Sequence, residues 1–201
     1  NTARRAFSNS GAGTETAALA VGGADGTSHS DLTEKWNNTC WSEVADLNTE
    51  RYSLAGGGTN TSALDRKSVV SALAFGGYDG GKTDKTESWN DTAWTETANL
   101  NTARDNLMGV GSNNTAALAV GGYTPPNASS GDAVNQSIVE LWNGTCWSEQ
   151  NNLSIATRSA SMGGNTTSAI SFAGVNPSAG RVAVSEEWDV PFIGTREFDL
   201  S

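Results

Sequence analysis

Apolar positions in this chain fall in short runs, and each run stops at glycine. Thr16–Val21 reads Thr-Ala-Ala-Leu-Ala-Val and ends at Gly22-Gly23. Ser71–Phe75 ends at Gly76-Gly77, and Thr115–Val120 ends at Gly121-Gly122. A looser version, Ser168–Phe172, ends at Ala173-Gly174. Runs this short, closed by glycine, predict strands buried on both faces; their alanine content argues only faintly for helix. Upstream of the first run, Arg5–Asn9 is a further strand candidate.

A second pattern is a pair of tryptophans. Glu34-Lys35-Trp36-Asn37-Asn38-Thr39-Cys40-Trp41-Ser42-Glu43 returns as Glu87-Ser88-Trp89-Asn90-Asp91-Thr92-Ala93-Trp94-Thr95-Glu96, and again from Glu140 through Trp142 and Trp147 to Glu149, 53 residues apart each time. A worn fourth copy begins at Glu186-Glu187-Trp188-Asp189. The third copy holds Asn143-Gly144 between its tryptophans, a strong hairpin signal. Asn38-Thr39 and Asp91-Thr92 are read as the equivalent turns, so Glu34–Trp36 and Cys40–Val44 predict two antiparallel strands.

A linker separates the copies: Leu47-Asn48-Thr49-Glu50-Arg51, Leu100-Asn101-Thr102-Ala103-Arg104, and Leu153 to Arg158, with Asn1-Thr2-Ala3-Arg4 in phase. The units are therefore about 1–47, 48–100, 101–153 and 154–201, with four strands each, in one repeat domain over residues 1–201. In the last unit Glu197–Ser201 replaces the second tryptophan strand. A four-stranded unit cannot bury both faces alone, but units packed face to face around a ring can, which is the logic of a β-propeller.

A strand ending in Gly-Gly, then a spaced aromatic pair, at a period near 50, resembles the kelch repeat. The resemblance covers essentially the whole chain. More narrowly, the Leu-Asn-Thr-Ala-Arg linker, the Ala-Leu-Ala-Val-Gly-Gly strand and the Trp-Asn-Gly-Thr-Cys-Trp hairpin are similar to kelch-like repeat proteins of tailed bacteriophages. The resemblance implies an all-β, kelch-type β-propeller or propeller-like array of four four-stranded blades. Kelch rings usually hold more than four blades. Three readings stay open: a tight four-bladed ring, part of a larger ring, or chains that complete one another.

Composition narrows the partners. The 201 residues carry a net charge of −10, and no basic stripe is available to neutralise phosphates, which argues against nucleic acid. No apolar run approaches the ~20 residues of a membrane-spanning helix, so no membrane insertion is expected. The chain opens at Asn1 without an initiator Met, as a mature, processed or partial chain would. Six of the seven tryptophans (Trp36, Trp41, Trp89, Trp94, Trp142 and Trp147) sit in the repeats and are expected between blades. Cys40 and Cys146 share one repeat position and are expected as small core residues. Two repeats should separate them by far more than the ~7 Å between Cα atoms that a disulfide tolerates.

Charges also recur: Glu34, Glu87, Glu140 and Glu186; Glu43, Glu96 and Glu149; Arg4, Arg51, Arg104 and Arg158. A group present in every unit serves something every unit needs, so an Arg–Glu pair per blade is expected, along with structural glycines at 22, 23, 76, 77, 121 and 122. Recognition is expected where the repeat breaks: in the loops Ala24–Thr33, Tyr78–Thr86, Tyr123–Ser137 and Val175–Ser185, which leave the same edge of their blades. The candidate binding face is centred on Tyr78, Asp79, Tyr123, Pro125, Pro126, Asn127 and Asp132. A tyrosine presents a flat apolar face with a polar tip, suited to a sugar ring or a protein. The loop Thr59–Ser68, with Arg66-Lys67, is expected to project from the opposite face.

Catalytic chemistry finds little support. Some kelch propellers are copper radical oxidases, which need several histidines, and His29 is the only one here, in a Gly/Ser loop where an exposed side chain is expected. No carboxylate pair stands out for sugar hydrolysis. Asp25-Gly26 and Asp79-Gly80-Gly81 fit turn chemistry better than a calcium loop. Nine Asn-x-Ser/Thr sequences occur, at Asn37, Asn60, Asn90, Asn113, Asn127, Asn135, Asn143, Asn152 and Asn165, three of them within the hairpin turns. The expectation is a non-catalytic structural and binding module without cofactor. The resemblance implies a virion or tail-fibre component, or otherwise an extracellular one, within a larger assembly that contacts host-surface glycan or another virion or surface protein. The rival readings are a subunit of an extracellular filament or surface layer and, further off, a polysaccharide-acting enzyme.

Overall fold

The computed structural model describes residues 3–5, 11–59, 71–124, 134–176, 180–181 and 183–189. They contain no helix. The first sheet runs β1 (Gly11–Thr14), β2 (Ala17–Val21), β3 (Thr33–Trp36) and β4 (Trp41–Glu43), each strand antiparallel to the next. The second repeats it with β5 (Ala55–Thr59), β6 (Ser71–Phe75), β7 (Thr86–Trp89) and β8 (Trp94–Glu96). The third uses β9 (Met108–Asn113), β10 (Ala116–Val120), β11 (Val139–Trp142) and β12 (Trp147–Glu149). In the fourth, β13 (Ser161–Gly164), β14 (Ser168–Phe172) and β17 (Ser185–Asp189) pair, and the loop between the last two carries a small ladder of β15 (Val175–Asn176) and β16 (Gly180–Arg181). These are four blades of a β-propeller. The strand expected at Glu197–Ser201 and the loop around Arg66-Lys67 lie outside the described residues.

Blade meets blade through a repeated division of labour. The central strand points its larger side chains at the next blade, which meets them with alanines and tryptophans. Leu19 and Val21 share a core with Ala72, Ala74, Trp89 and Trp94. Leu73 and Phe75 do the same with Ala117, Ala119, Trp142 and Trp147. Leu118, Val120 and Val139 pack with Ala169 and Trp188. Trp94 donates its indole N–H to Thr33 Oγ1 at 3.0 Å, and Trp147 donates to Thr86 Oγ1 at 3.1 Å, so each outer tryptophan is bonded to the preceding blade. Trp89, Trp94, Trp142 and Trp147 are buried as expected, whereas Trp36 and Trp41 of the first blade are only half-buried.

Burial on both faces likewise holds for the middle blades only. Ala72–Phe75 and Ala117–Val120 are wholly buried. In β2 and β14 the exposure alternates, because an end blade has a neighbour on one side. The inner strands pack in series, β1 on β5, β5 on β9 and β9 on β13, and among the described residues β13 and β1 do not pack on each other to a comparable extent.

A buried ion pair ties the linker to its blade in the first three blades. Arg4 contacts Glu34 at 2.7 Å, Arg51 contacts Glu87 at 3.0 Å and Arg104 contacts Glu140 at 3.0 Å. Arg104 has no exposed surface. Its guanidinium donates to the carbonyls of Gly121, Ile138 and Ala119 as well as to Glu140. The other carboxylate oxygen of Glu140 accepts the backbone and side-chain N–H groups of Asn101. Asn48 treats Glu87 identically. Burial pulls the Arg104 pKa down to about 10, with the Glu140 charge opposing the shift.

The Gly-Gly pair is the passing place for the next linker. Gly23, Gly77 and Gly122 donate their N–H groups to the carbonyls of Arg51, Arg104 and Thr157. Gly22, Gly76 and Gly121 have φ of 63°, 64° and 59°, and a Cβ on them would meet those same carbonyls at 2.6, 2.8 and 2.5 Å. Both backbone conformation and space demand glycine there.

Four expectations are corrected. The fourth structural arginine is absent: Thr157 holds that position, Arg158 lies one residue later, and Glu186 instead accepts from Ser154 and Ile155. Cys40 and Cys146 are exposed free thiols, not core residues. Each stands at the end of a four-residue connection between paired tryptophans, which projects past the sheet. The turns centre on Asn38-Thr39 and Asp91-Thr92 as read from the sequence, whereas in the third blade the turn centres on Gly144-Thr145, one residue later than Asn143-Gly144. Asn37, Asn90 and Asn143 accept on Oδ1 from the backbone N–H groups two and three residues on, and Asn38, Asp91 and Gly144 adopt the left-handed conformation. In the first blade Arg5 makes a lone bridge to Ala24, residues 6–10 lie outside the described residues, and the paired strand is Gly11–Thr14.

Two outcomes follow. Trp94→Ala removes an indole wedged between blades and should cost about 3–5 kcal/mol in denaturant unfolding. Arg104→Met leaves a buried carboxylate unpaired and should cost a similar amount, about 3–5 kcal/mol. The double variant Arg104→Met, Glu140→Leu should recover part of that loss, which the same unfolding curves would show.

Candidate binding face

The residue after each structural linker position varies between blades. It is Arg5, Tyr52, Asp105 and Arg158 in turn, and each bridges the residue after the Gly-Gly pair (Ala173-Gly174 in the fourth blade): Ala24, Tyr78, Tyr123 and Val175. Those residues bridge onward to His29, Lys82 and Asn135 in the first three blades. A constant hydrogen-bonded frame thus carries a set of variable side chains at one edge of the blades. Tyr78 and Tyr123 are legible in the sequence as departures after a constant motif, whereas Tyr52 and Asp105 are hidden when Arg158 is aligned with the structural arginines.

Three rings gather where the first two blades meet. Tyr52 and Tyr78 lie 5.3 Å apart between centroids, and His29 stands 5.0 Å from Tyr52 and 5.6 Å from Tyr78, edge-on to the latter. His29 is half-buried in this cluster, not freely exposed as expected. Tyr52 and Tyr78 are also half-buried. Burial raises the Tyr52 pKa, with Tyr78 and Asp105 adding to the effect and Arg5 opposing it. Beside the cluster an open groove of about 430 Å³ is lined by Arg5, Thr27, Ser28, His29 and Tyr52. Its rim is an Asp25 turn: Asp25 Oδ1 accepts from the N–H groups of Thr27 and Ser28, and those bonds lower its pKa.

Tyr123 has different company. Lys82 Nζ lies 4.6 Å from its ring centroid and the Arg158 guanidinium 4.3 Å, so a cation from each neighbouring blade lies against the ring. Asp105, buried to 7% exposure, has one carboxylate oxygen without a hydrogen-bond partner. Burial raises its pKa, and the charges of Lys82 and Arg158 only partly offset this. Asp79 is held at 2.9 Å by Lys85. Its burial would raise the pKa, but the Lys85 bond and charge prevail and lower it. Asp79 is therefore braced within its loop, as turn chemistry requires, and no group of metal-ligating side chains occurs among the described residues. Pro125, Pro126, Asn127 and Asp132 lie outside the described residues.

No protein-family profile matches the chain, and neither does any curated protein. Solved structures do match. One, titled "Structure of YjhT", superposes with a TM-score of 0.66 at 14% identity, over 82% of this chain and 51% of that one. This similarity shows the β-propeller fold, and the chain spans about half the length of that neighbour.

Asp105 yields a pH prediction. Its folded pKa is raised, so between the ordinary aspartate value and the raised one the folded state binds more protons than the unfolded state. Its contribution to stability is therefore lost as pH rises through that window. Asp105→Asn should raise the melting temperature at pH 7, and the gain should vanish below about pH 3, where the carboxyl is protonated in both states.

Proposed function

We propose that this chain is a non-catalytic binding module that recognises carbohydrate on the face built by Tyr52, Tyr78, His29 and Tyr123, and that it serves on the outside of a phage particle, as a virion or tail-fibre component contacting host-surface glycan. One observation carries the reading: half-buried aromatic rings of neighbouring blades, held on a rigid repeated frame, border an open polar groove. Sugar rings present C–H faces that stack on aromatics and hydroxyls that need donors and acceptors nearby. Tyr52 and Tyr78 supply the first, and Arg5, Thr27, Ser28 and His29 supply the second. Such a surface needs no large rearrangement, because the rings already pack on one another. The likeness of the linker, strand and hairpin sequences to phage kelch-like proteins supports the placement on a virion.

The test is a glycan array followed by titration calorimetry on any glycan retained. Wild-type protein is expected to bind and leave the glycan intact. Tyr52→Ala and Tyr78→Ala should each weaken binding at least about tenfold, the loss of one good aromatic contact, with a small change in melting temperature. Binding unaffected by both substitutions would move the site elsewhere, and release of a cleaved product would overturn the non-catalytic assignment.

A further inference from the structure

The outer face of the last blade repeats a surface that is covered everywhere else in the chain. Cross-strand partners Val21 and Thr33, Phe75 and Thr86, and Val120 and Val139 face the following blade and are buried by it. Phe172 and Ser185 are the same pair in the fourth blade. There Phe172 is 46% exposed and Ile170 is 40% exposed, two of the three exposed large hydrophobics among the described residues.

This face is built for a particular neighbour. In the second blade Phe75 meets the indole of Trp147 at 4.9 Å, and Thr86 Oγ1 accepts its N–H. A hydroxyl stands at this position in the first two blades, where the next blade brings a second tryptophan. The third blade has Val139 there, and the fourth unit has no second tryptophan in its sequence. Ser185 restores the hydroxyl, and Phe172 restores the aromatic ring of Phe75. The fourth blade therefore carries the features that receive a tryptophan-bearing blade.

The matching surface is at the other end of the same chain. Ala18 and Ala20 of β2 occupy the places of Ala72 and Ala74, which receive Leu19 and Val21, and of Ala117 and Ala119, which receive Leu73 and Phe75. In the first blade these alanines are only half-buried, beside Trp36 and Trp41. Trp41 stands at the position of Trp94 and Trp147.

We infer that the last blade docks on the first blade of a second copy of this chain, head to tail, with Ile170 and Phe172 seated on Ala18 and Ala20, and with Ser185 opposite Trp41. The contact continues the blade-to-blade interface already present three times in each copy. It is heterologous, so copies close into a ring or extend as a filament according to the angle at the seam. Ala173, at φ 62°, stands where the other blades place the glycine that passes the next linker. Two separate chains are not tethered at that corner and can sit slightly farther apart there.

Sedimentation velocity of the 201-residue chain over a wide concentration range tests this. Association into dimers or larger species is expected. Phe172→Glu and Ala20→Glu should each abolish it with melting temperature unchanged. Ser185→Arg and Ala18→Lys stand in if either of those perturbs folding. Mixing a last-blade variant with a first-blade variant should restore one intact seam and give a heterodimer. A wild-type chain monomeric at every concentration would overturn the inference and leave the face to a different neighbour. So would association sensitive to Phe172→Glu but not to any first-blade substitution, which would mark a like-on-like contact.

Discussion

A fully buried guanidinium facing a fully buried carboxylate is the interaction on which the rest of this structure depends. Charges of this kind persist in a protein interior only when most of their oxygens and N–H groups have somewhere to point. Glu140 is held by Arg104 on one oxygen and the Asn101 amides on the other, while the two terminal nitrogens of Arg104 also donate to three backbone carbonyls and its Nε is left without a partner. The linker, the Gly-Gly corner and two strands of the blade are thereby fixed relative to one another. Because the linker also passes the preceding blade's Gly-Gly, the pair that orders one blade positions it against the last. The hydrophobic contacts between blades add stability to a geometry that these polar contacts specify.

That rigidity explains how a functional face can vary freely. The backbone bridges at Arg5, Tyr52, Asp105 and Arg158 are the same in every blade, so the side chains there carry no structural duty common to all. One blade offers a tyrosine, another a buried carboxylate, another a cation laid over a ring. Asp105 even carries an unsatisfied oxygen, a local cost that a strongly held frame tolerates.

Most of the architecture was legible because it was written several times. The 53-residue spacing, the Gly-Gly stops and the paired tryptophans each state a local rule, and the rules agree. The end blades were not legible. The Trp36–Trp41 hairpin reads like the Trp89–Trp94 hairpin, but burial depends on a neighbour that only the three-dimensional arrangement reveals. The cysteines were misjudged for a related reason: adjacency to a tryptophan says nothing of whether the turn extends past the sheet. At the binding face, Tyr78 and Tyr123 were visible as departures after a constant motif. Tyr52 and Asp105 were hidden by a one-residue misalignment of Arg158, and only the bridge pattern corrects it.

Native-state hydrogen exchange at Asn48 and Asn101 tests the central claim most directly. Their backbone N–H groups donate to the buried carboxylates of Glu87 and Glu140, outside any strand ladder. If those ion pairs hold the blades in place, both amides should exchange only through global unfolding, with the same opening free energy as the core-strand amides of Leu73 and Leu118. Exchange of Asn48 and Asn101 through local opening, well ahead of those strands, would show that the linkers merely follow a fold specified by hydrophobic packing.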